Sequence, residues 1–388
     1  MQAATEIHGS VDVRFSGVED AFRENFSRFP EVGAALCVYV DGKPLLDIWG
    51  GHADAARTRT WERDTLVNVW STTKGITATC AHRLAGEGKL DLDAPVAKYW
   101  PEFAQNGKES VLVRHLLCHQ AGLSATHEPL PPGSACDWQF MTDTLAAEEP
   151  RWEPGTKHGY HAFTYGWLVG EVIRRVTGKT PGTYWREEIA DPLGLDFHIG
   201  IGPEHDSRIA DCLQAASLED LSGPLVKAMQ DPMSFTFRAL TTPPDPFIPG
   251  SINTREWRGA EIPAANGHGT ARAVAKLYAA LSLGGEIDGF RVVSESALAR
   301  ATTEQCYGPD EVLIVPMRWS LGYGLACEGV YLGPNKNTFG HSGAGGSLGY
   351  ADRDARIGFG YTMNQMLPSD TLSDRRWRPL MDALYAAL

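Results

Sequence analysis

A serine and a lysine three residues apart are the first side chains in the sequence that could support chemistry. Ser71 and Lys74 belong to the stretch S-T-T-K-G, which follows V-N-V-W and opens a helical pattern. Positions i and i+3 share one face of a helix, so the two side chains can form a hydrogen bond. A serine hydroxyl becomes a nucleophile when a base takes its proton, and a lysine is that base once its pKa falls from about 10.4 toward neutrality. The alternative interpretation is an N-capping serine with an exposed lysine one turn further on.

A second serine competes for the role of nucleophile. Ser347 lies in G-G-S-L-G, which matches the G-x-S-x-G elbow of α/β-hydrolases. That fold requires an acid and then a histidine after the serine in chain order. His341 is the last histidine of the chain, so Ser347 has acids such as Asp352 after it but no base. A helix must also follow the elbow, whereas residues 349–352 continue into a hairpin pattern. We therefore expect that Ser347 is not the nucleophile.

Metal and nucleotide chemistry are also considered. His115 and His119 are four residues apart in a predicted helix, with Cys118 between them, which is a spacing that can bind zinc. The acid of an H-E-x-x-H motif is missing, because Leu116 follows His115. We interpret the two histidines as groups that pack and cap a turn near the site. The sequence also has no G-x-x-x-x-G-K-[ST] motif and no G-x-G-x-x-G between a strand and a helix. We predict neither a metal nor a cofactor.

Further stretches accompany the S-x-x-K motif. They are H-L-L-C-H-Q-A-G-L at 115–123, E-P-G-T at 153–156 followed by Tyr160, and F-G-H-S-G-A-G-G at 339–346. In this order and spacing, the set resembles the serine β-lactamase and penicillin-binding-protein family, in particular the class C β-lactamase-like esterases known as family VIII carboxylesterases. The stretch I-P-A-A-N-G-H-G-T-A-R at 262–272 resembles the esterase branch. The resemblance extends from about Ala34 to the C-terminus.

The resemblance implies a catalytic role for four residues. Ser71 would be the nucleophile, and Lys74 with Tyr160 would accept its proton and relay it to the leaving group. The backbone N–H groups of Ser71 and Ala344 would form the oxyanion hole, where each donor contributes roughly a few kcal/mol in acyl transfer. The reaction would pass through a covalent acyl-enzyme on Ser71, which water then attacks.

Two departures from the lactamase pattern bear on the substrate. His341, Ser342 and Gly343 stand where the lactamases have Lys-Thr-Gly, and by resemblance they would contact the substrate. The family's lysine attracts the carboxylate of a lactam or peptide, whereas a histidine is at best partly charged near pH 7. The lactamase Tyr-x-Asn element ends here in Ala162, which has no amide to bind an acylamino group. The resemblance therefore implies an esterase with weak or missing lactam cleavage.

Other functions share some of these features. A β-lactamase or DD-peptidase-type amide hydrolase, or an acyltransferase, would use the same acyl-enzyme. A non-catalytic binding protein could keep the same fold, but it would have no need to keep Ser71, Lys74 and Tyr160 together. We predict a serine hydrolase that cleaves carboxylic esters with short to medium acyl chains.

The elements that would position these residues come from both ends of the chain. Apolar runs at 34–40 and 44–49 flank the turn D-G-K, which predicts a β-hairpin. Runs at 346–351 and 356–363 predict a second one. Aromatic and apolar residues recur helically from Phe15 to Phe29, and a terminal helix is predicted within 371–388, kinked or restarted at Pro379. Hairpins at both ends indicate one antiparallel sheet.

We predict an α+β two-domain fold of the β-lactamase/DD-peptidase type. Residues 1–80 and 270–388 would form an antiparallel sheet flanked by helices, and residues 81–200 a mostly helical domain. Residues 201–269, which are rich in proline and aromatic side chains, would form an excursion that lines the site. The active site would lie in the cleft between the domains, with Ser71 at the start of a helix.

Composition limits the partners and the location. The chain has 388 residues, 43% hydrophobic and 21% charged, which is typical of a globular protein with a large core. A net charge of −13 without a basic cluster disfavours nucleic acid and anionic membranes. No apolar run approaches the ~20 residues of a membrane span, and no signal peptide is evident. Seven scattered cysteines favour reduced thiols. We predict a cytoplasmic enzyme whose partner is a small-molecule ester.

Overall fold

The computed structural model describes residues 5–214, 222–368 and 373–388. Its strands are β1 (Ile7–Val11), β2 (Gly33–Val40), β3 (Lys43–Gly51), β4 (Val67–Asn68), β5 (Phe197–Ile199), β6 (Gly267–Gly269), β7 (Glu286–Ile287), β8 (Phe290–Arg291), β9 (Cys306–Pro309), β10 (Pro316–Trp319), β11 (Gly324–Leu325), β12 (Thr338–Ser342), β13 (Leu348–Asp352) and β14 (Ile357–Met363). Nine of them form one antiparallel sheet in the order β1-β3-β2-β14-β13-β12-β11-β10-β9. Both ends of the chain contribute to this sheet, as the sequence predicts.

The helices connect and cover the strands. They are α1 (Ser16–Arg28), α2 (Thr72–Gly86), α3 (Val113–Leu117), α4 (Trp138–Ala147), α5 (Thr164–Thr177), α6 (Pro181–Trp185), α7 (Asp191–Leu193), α8 (Pro224–Gln230), α9 (Phe235–Leu240), α10 (Arg255–Gly259), α11 (Ala271–Ser282), α12 (Glu295–Ala301) and α13 (Trp377–Ala386). All but α1, α11, α12 and α13 lie between β4 and β6 in the sequence, so the middle of the chain is mostly helical. The α+β fold is therefore the one predicted.

The hairpins occur at the predicted places. β2 and β3 are joined by Asp41 and Gly42, with φ angles of 50° and 76°, which favour Asp-Gly in a two-residue turn. β14 then pairs with β2 from Ile357 opposite Val40 to Met363 opposite Ala34. This pairing joins the N-terminal hairpin to the C-terminal one at the centre of the sheet.

Each face of the sheet is covered differently. On one face α1 and α13 pack together over apolar side chains such as Phe22, Leu36, Phe359 and Leu380, all fully buried. On the other face α11 lies directly on β14, where a Cβ atom added at Gly358 would be 2.2 Å from the Ala279 nitrogen. Glycine on this side of β14 therefore allows α11 to reach the strand backbone.

Helix α2 runs through the interior between the sheet and the other helices. Twelve of its fifteen residues are buried, and it contacts α5, α12 and β12. Its buried hydroxyls bind backbone oxygens: Thr77 Oγ1 donates to the Pro263 carbonyl at 2.6 Å, and Thr79 Oγ1 donates to the Gly75 carbonyl at 2.8 Å. A helix buried on all sides gives a rigid base for the residues at its N-terminus.

Some details differ from the sequence predictions. Pro379 neither kinks nor restarts the terminal helix: α13 begins at Trp377, so the proline lies in the first turn, where its missing N–H has no helical partner in any case. The second hairpin begins at Leu348. Residues 371–372 of the predicted helix window and 215–221 of the predicted excursion lie outside the described residues. The predicted domain boundaries remain a prediction.

Two observations bear on location. None of the helices in the described ranges is long and apolar enough to cross a bilayer. All seven cysteines lie in those ranges and are free thiols. The cytoplasmic location stays a prediction.

Candidate active site

Ser71 occupies the turn between β4 and α2. It is the N-cap residue of α2, yet within the described structure its hydroxyl makes no capping hydrogen bond to the helix. The residue before it, Trp70, has a φ angle of 48°, which is strained for a bulky side chain. Ser71 therefore occupies the N-cap position, but its hydroxyl does not cap the helix as the alternative interpretation expects.

Lys74 is fully buried beside this hydroxyl. Its Nζ atom lies 3.0 Å from Ser71 Oγ, 2.6 Å from the Ala162 carbonyl oxygen and 3.0 Å from the Ala264 carbonyl oxygen. Burial lowers the pKa of Lys74 well below its usual value. In its neutral form the amine would donate its two N–H groups to the two carbonyls and turn its lone pair to the Ser71 hydroxyl. The exposed-lysine alternative is wrong, since Lys74 is buried, and the role of Lys74 as a base stays a prediction.

Tyr160 contacts the same serine. Its phenol interacts with the Ser71 side chain, and burial raises the pKa of Tyr160, so the phenol stays protonated. The ring stacks on Trp319, with centroids 5.6 Å apart. The main-chain N–H of Tyr160 donates to Asp310 Oδ1 at 2.9 Å, and Trp319 Nε1 donates to Asp310 Oδ2 at 3.2 Å. One buried carboxylate thus holds both the backbone of Tyr160 and the ring that packs against it.

Asp310 is a residue that the sequence interpretation missed. Its side chain is buried and also accepts the main-chain N–H groups of Val312 and Leu313, each at 2.9 Å. Nothing around it in the sequence links it to the site, because Tyr160 lies 150 residues away in the chain.

His341 lies near the end of β12 and faces the same space. Its Nδ1 atom is 2.7 Å from the Ser342 carbonyl oxygen, and because a carbonyl only accepts, Nδ1 carries the hydrogen. Burial lowers the pKa of His341 to about 3, so the ring is neutral at physiological pH. The sequence analysis allowed the His341 ring at best a partial positive charge near pH 7, whereas burial in the structure favours the uncharged ring. Nε2 is an acceptor with no partner among the described residues.

A cavity of about 250 Å³ brings the predicted residues together. Its wall includes Ser71 and Tyr160 on one side and the stretch 340–346 on the other, which contains His341, Ser342, Gly343 and Ala344. The rest of the wall is largely apolar: Leu225, Leu313, Met317, Trp319, Val330, Leu332, Leu367 and Trp377. The catalytic and binding roles of these residues remain predictions.

The cavity wall carries an acidic side chain. Among the described residues that line the cavity, Asp374 is the one with a charged side chain. Its two oxygens each accept from the buried Arg376, at 2.9 Å. Of the predicted excursion at 201–269, Leu225 reaches the cavity and the Ala264 carbonyl holds Lys74.

The two histidines considered for a metal site make different contacts. His119 lies beyond the end of α3 with a φ angle of 62°, and it packs edge-on against Trp319 and Tyr160 at 4.6 and 5.0 Å between ring centroids. His115 Nδ1 accepts the main-chain N–H of Leu112 at 3.3 Å. Within the part of the chain that the structure describes, no group of three His, Cys, Asp or Glu side chains could hold a metal ion.

Comparison with known proteins agrees with this architecture. The sequence model of the β-lactamase family matches residues 22–380. The chain belongs to the β-lactamase family. This β-lactamase-family protein is 38% identical over 388 residues to the esterase/β-lactamase LipL of Mycobacterium tuberculosis, covering 96% of this chain and 86% of that one.

Solved structures of β-lactamase-family proteins are similar over the whole chain. A family VIII carboxylesterase is 43% identical, with a TM-score of 0.87 over 99% of this chain and 100% of that chain. A penicillin-binding-protein homologue from Caulobacter crescentus is 37% identical, with a TM-score of 0.89 over the same shares. The resemblance to the esterase branch and the predicted fold class are confirmed.

Proposed function

We propose that the protein is a serine carboxylesterase that forms an acyl-enzyme on Ser71. The observation that carries the proposal is the position of Lys74 Nζ, buried at 3.0 Å from Ser71 Oγ with its other two polar contacts made by backbone carbonyls. The described residues offer Lys74 no carboxylate that would keep it charged. Similarity to a family VIII carboxylesterase and to LipL supports ester hydrolysis as the reaction.

Acylation begins when Ser71 Oγ attacks the ester carbonyl carbon and Lys74 takes the hydroxyl proton. The carbonyl oxygen becomes negative in the tetrahedral intermediate and accepts hydrogen bonds from the N–H groups of Ser71 and Ala344. The bond to the alkoxide then breaks, and Tyr160, a neutral phenol, relays the proton from Lys74 to that oxygen. Water repeats the attack on the acyl-enzyme, releases the acid and restores the Ser71 hydroxyl.

The cavity favours neutral esters with short to medium acyl chains. Its largely apolar wall suits a hydrocarbon chain, and its volume of about 250 Å³ limits the length. A substrate carboxylate would find a neutral His341 where the lactamases have an ammonium group, and the Asp374 carboxylate on the wall. An anionic substrate would therefore lose its hydration without gaining a cationic partner.

The experiment is covalent labelling followed by peptide mapping. The protein is incubated briefly with a p-nitrophenyl alkylphosphonate, its intact mass is measured, and the labelled peptide is sequenced. We expect one adduct per chain, on Ser71, and none in the Ser71→Ala variant. Labelling of any other serine, or hydrolysis of p-nitrophenyl butyrate by Ser71→Ala at the wild-type rate, would overturn the proposal.

A further inference from the structure

We expect Ser347 not to be the nucleophile, yet it lies next to the proposed one. Its side chain is fully buried directly before β13. Ser347 Oγ donates to the Val69 carbonyl at 2.6 Å, and it lies 3.0 Å from Thr72 Oγ1. The single hydroxyl hydrogen of Ser347 is used on Val69, so Thr72 is the donor in the second bond. Val69 and Thr72 stand on either side of Trp70 and Ser71, so one side chain binds both ends of the turn that carries the nucleophile.

The main chain of Ser347 holds the other half of the site. Its carbonyl oxygen accepts the Gly343 N–H at 2.8 Å, and the Gly346 N–H donates back to the Gly343 carbonyl at 3.1 Å. These bonds close residues 343–347 into a tight loop, and Ala344 is the second residue of that loop. The loop touches the nucleophile turn: a Cβ atom added at Gly343 would be 2.2 Å from both Ser347 Oγ and the Val69 oxygen.

The outer side of this loop is fixed as well. Arg376 Nη2 donates to the Gly345 carbonyl, and Trp377 Nε1 donates to the Gly346 carbonyl at 2.7 Å. Arg376 is fully buried and is itself held by Glu31 Oε2 at 2.7 Å and by Asp374. The loop is thus anchored to Arg376 and Trp377 on one side, and on the other side the Ser347 hydroxyl contacts the turn that carries Ser71.

We propose that Ser347 is a positioning residue that fixes the distance between the two oxyanion donors, the N–H groups of Ser71 and Ala344. This inference rests on the proposed function. Oxyanion donors act only within about 2.7–3.1 Å of the developing charge, and a displacement of about 1 Å can cost on the order of 10²-fold in rate. The Ser347 hydroxyl is buried away from the cavity and would not contact the substrate. Its expected effect is on the stability of the transition state, through the placement of the two oxyanion donors.

The test uses Ser347→Ala, Thr72→Val and the double variant, with Ser282→Ala as a matched control. Ser282 is another buried serine whose hydroxyl donates to a backbone carbonyl, that of Ala279, at 2.8 Å, but it lies on α11. With p-nitrophenyl butyrate we expect kcat to fall about 10- to 100-fold in Ser347→Ala, with KM within about threefold of wild type. Thr72→Val, which keeps the Val69 bond, should lower kcat about three- to tenfold. The double variant should resemble Ser347→Ala, because Thr72 acts through Ser347.

A second readout separates positioning from folding. The rate of phosphonylation of Ser71 should fall in parallel with kcat in each variant, while the label stays on Ser71 and Ser282→Ala keeps the wild-type rate. Folded Ser347→Ala and Thr72→Val proteins that both keep kcat within about twofold of wild type would overturn the role of Ser347. Failure of the proposed function has a different signature: the wild-type protein itself would carry no label on Ser71.

Discussion

Lys74 Nζ lies 4.8 Å from the centroid of the Tyr160 ring and 3.0 Å from Ser71 Oγ, and Tyr160 also interacts with the Ser71 side chain. Burial lowers the pKa of Lys74 and raises that of Tyr160, so it favours the uncharged form of both groups. A buried site with neutral groups avoids the desolvation cost of a fixed ion pair. Charge then appears only when a substrate reacts.

The first prediction concerns pH. Lys74 must be neutral to take a proton, so kcat/KM should rise with pH through the lowered pKa of Lys74 and then reach a plateau. The plateau should extend to alkaline pH, because the raised pKa of Tyr160 keeps its phenol protonated. His341, with a pKa of about 3, should add no step between pH 5 and 9. A pH–rate profile that keeps rising tenfold per unit up to pH 10 would instead indicate a lysine with an ordinary pKa.

The second prediction separates binding from proton transfer. Lys74→Ala and Tyr160→Phe should each lower kcat far more than they change KM, since both residues act on proton transfer in the transition state. For Lys74→Ala we expect kcat to fall by roughly 10²-fold or more. Steady-state kinetics with p-nitrophenyl butyrate measure the split. A Tyr160→Phe enzyme within about threefold of wild type would remove Tyr160 from the relay while leaving Ser71 as the nucleophile.

Substrate selectivity gives the third prediction. Ala162 offers no amide and the neutral His341 no ammonium, and each missing anchor removes about 1–3 kcal/mol of transition-state binding for a lactam. Two such losses correspond to roughly 10²- to 10⁴-fold at ~1.4 kcal/mol per tenfold. Simple p-nitrophenyl esters have no groups that would use these anchors and so lose no transition-state binding. Their kcat/KM should therefore exceed that of nitrocefin by at least about 10²-fold.

A substitution at His341 provides the control for selectivity. His341→Lys restores a cationic side chain at the position where lactamases have one, and it should raise the kcat/KM for nitrocefin relative to p-nitrophenyl acetate by about tenfold. Nitrocefin turnover that equals or exceeds ester turnover in the wild-type protein would mean that other groups supply these anchors, and the amide-hydrolase alternative would then describe the protein better.

The fourth prediction concerns Asp310. Asp310→Asn places an amide N–H where the carboxylate accepted donors from Tyr160 and Trp319, so we expect the free energy of unfolding to fall by about 2–4 kcal/mol and kcat by at least about tenfold. Asp352 is a matched control, since it is an equally buried carboxylate that accepts main-chain N–H groups away from the cavity. Asp352→Asn should lose stability but keep kcat. Urea unfolding and initial rates distinguish the two, and equal kcat values would show that Asp310 is structural only.

Local features were predictable from the sequence. The contact between Ser71 and Lys74 follows from the i, i+3 geometry of one helix turn, and the β2–β3 hairpin follows from its Asp-Gly turn. The contacts that hold Lys74 and Tyr160 in place were not predictable, because they join segments that are distant in the chain. The carbonyls that bind Lys74 come from Ala162 and Ala264, and Tyr160 is held by Asp310, 150 residues away. No periodicity or spacing in the sequence encodes such pairs.

The pairing of β2 with β14 has a consequence for biosynthesis. β2 and its hairpin partner are synthesised long before β14, which follows the helical middle of the chain, so one edge of β2 has no native partner until β14 has been made. The N–H of Ala344 and the side chain of Arg376 arrive in the same late portion. Ser71 is synthesised before Ala344, so the second proposed oxyanion donor joins it only when β12 and the loop after it have been added. A nascent or truncated chain without that loop would therefore carry the proposed nucleophile but lack part of the proposed oxyanion hole.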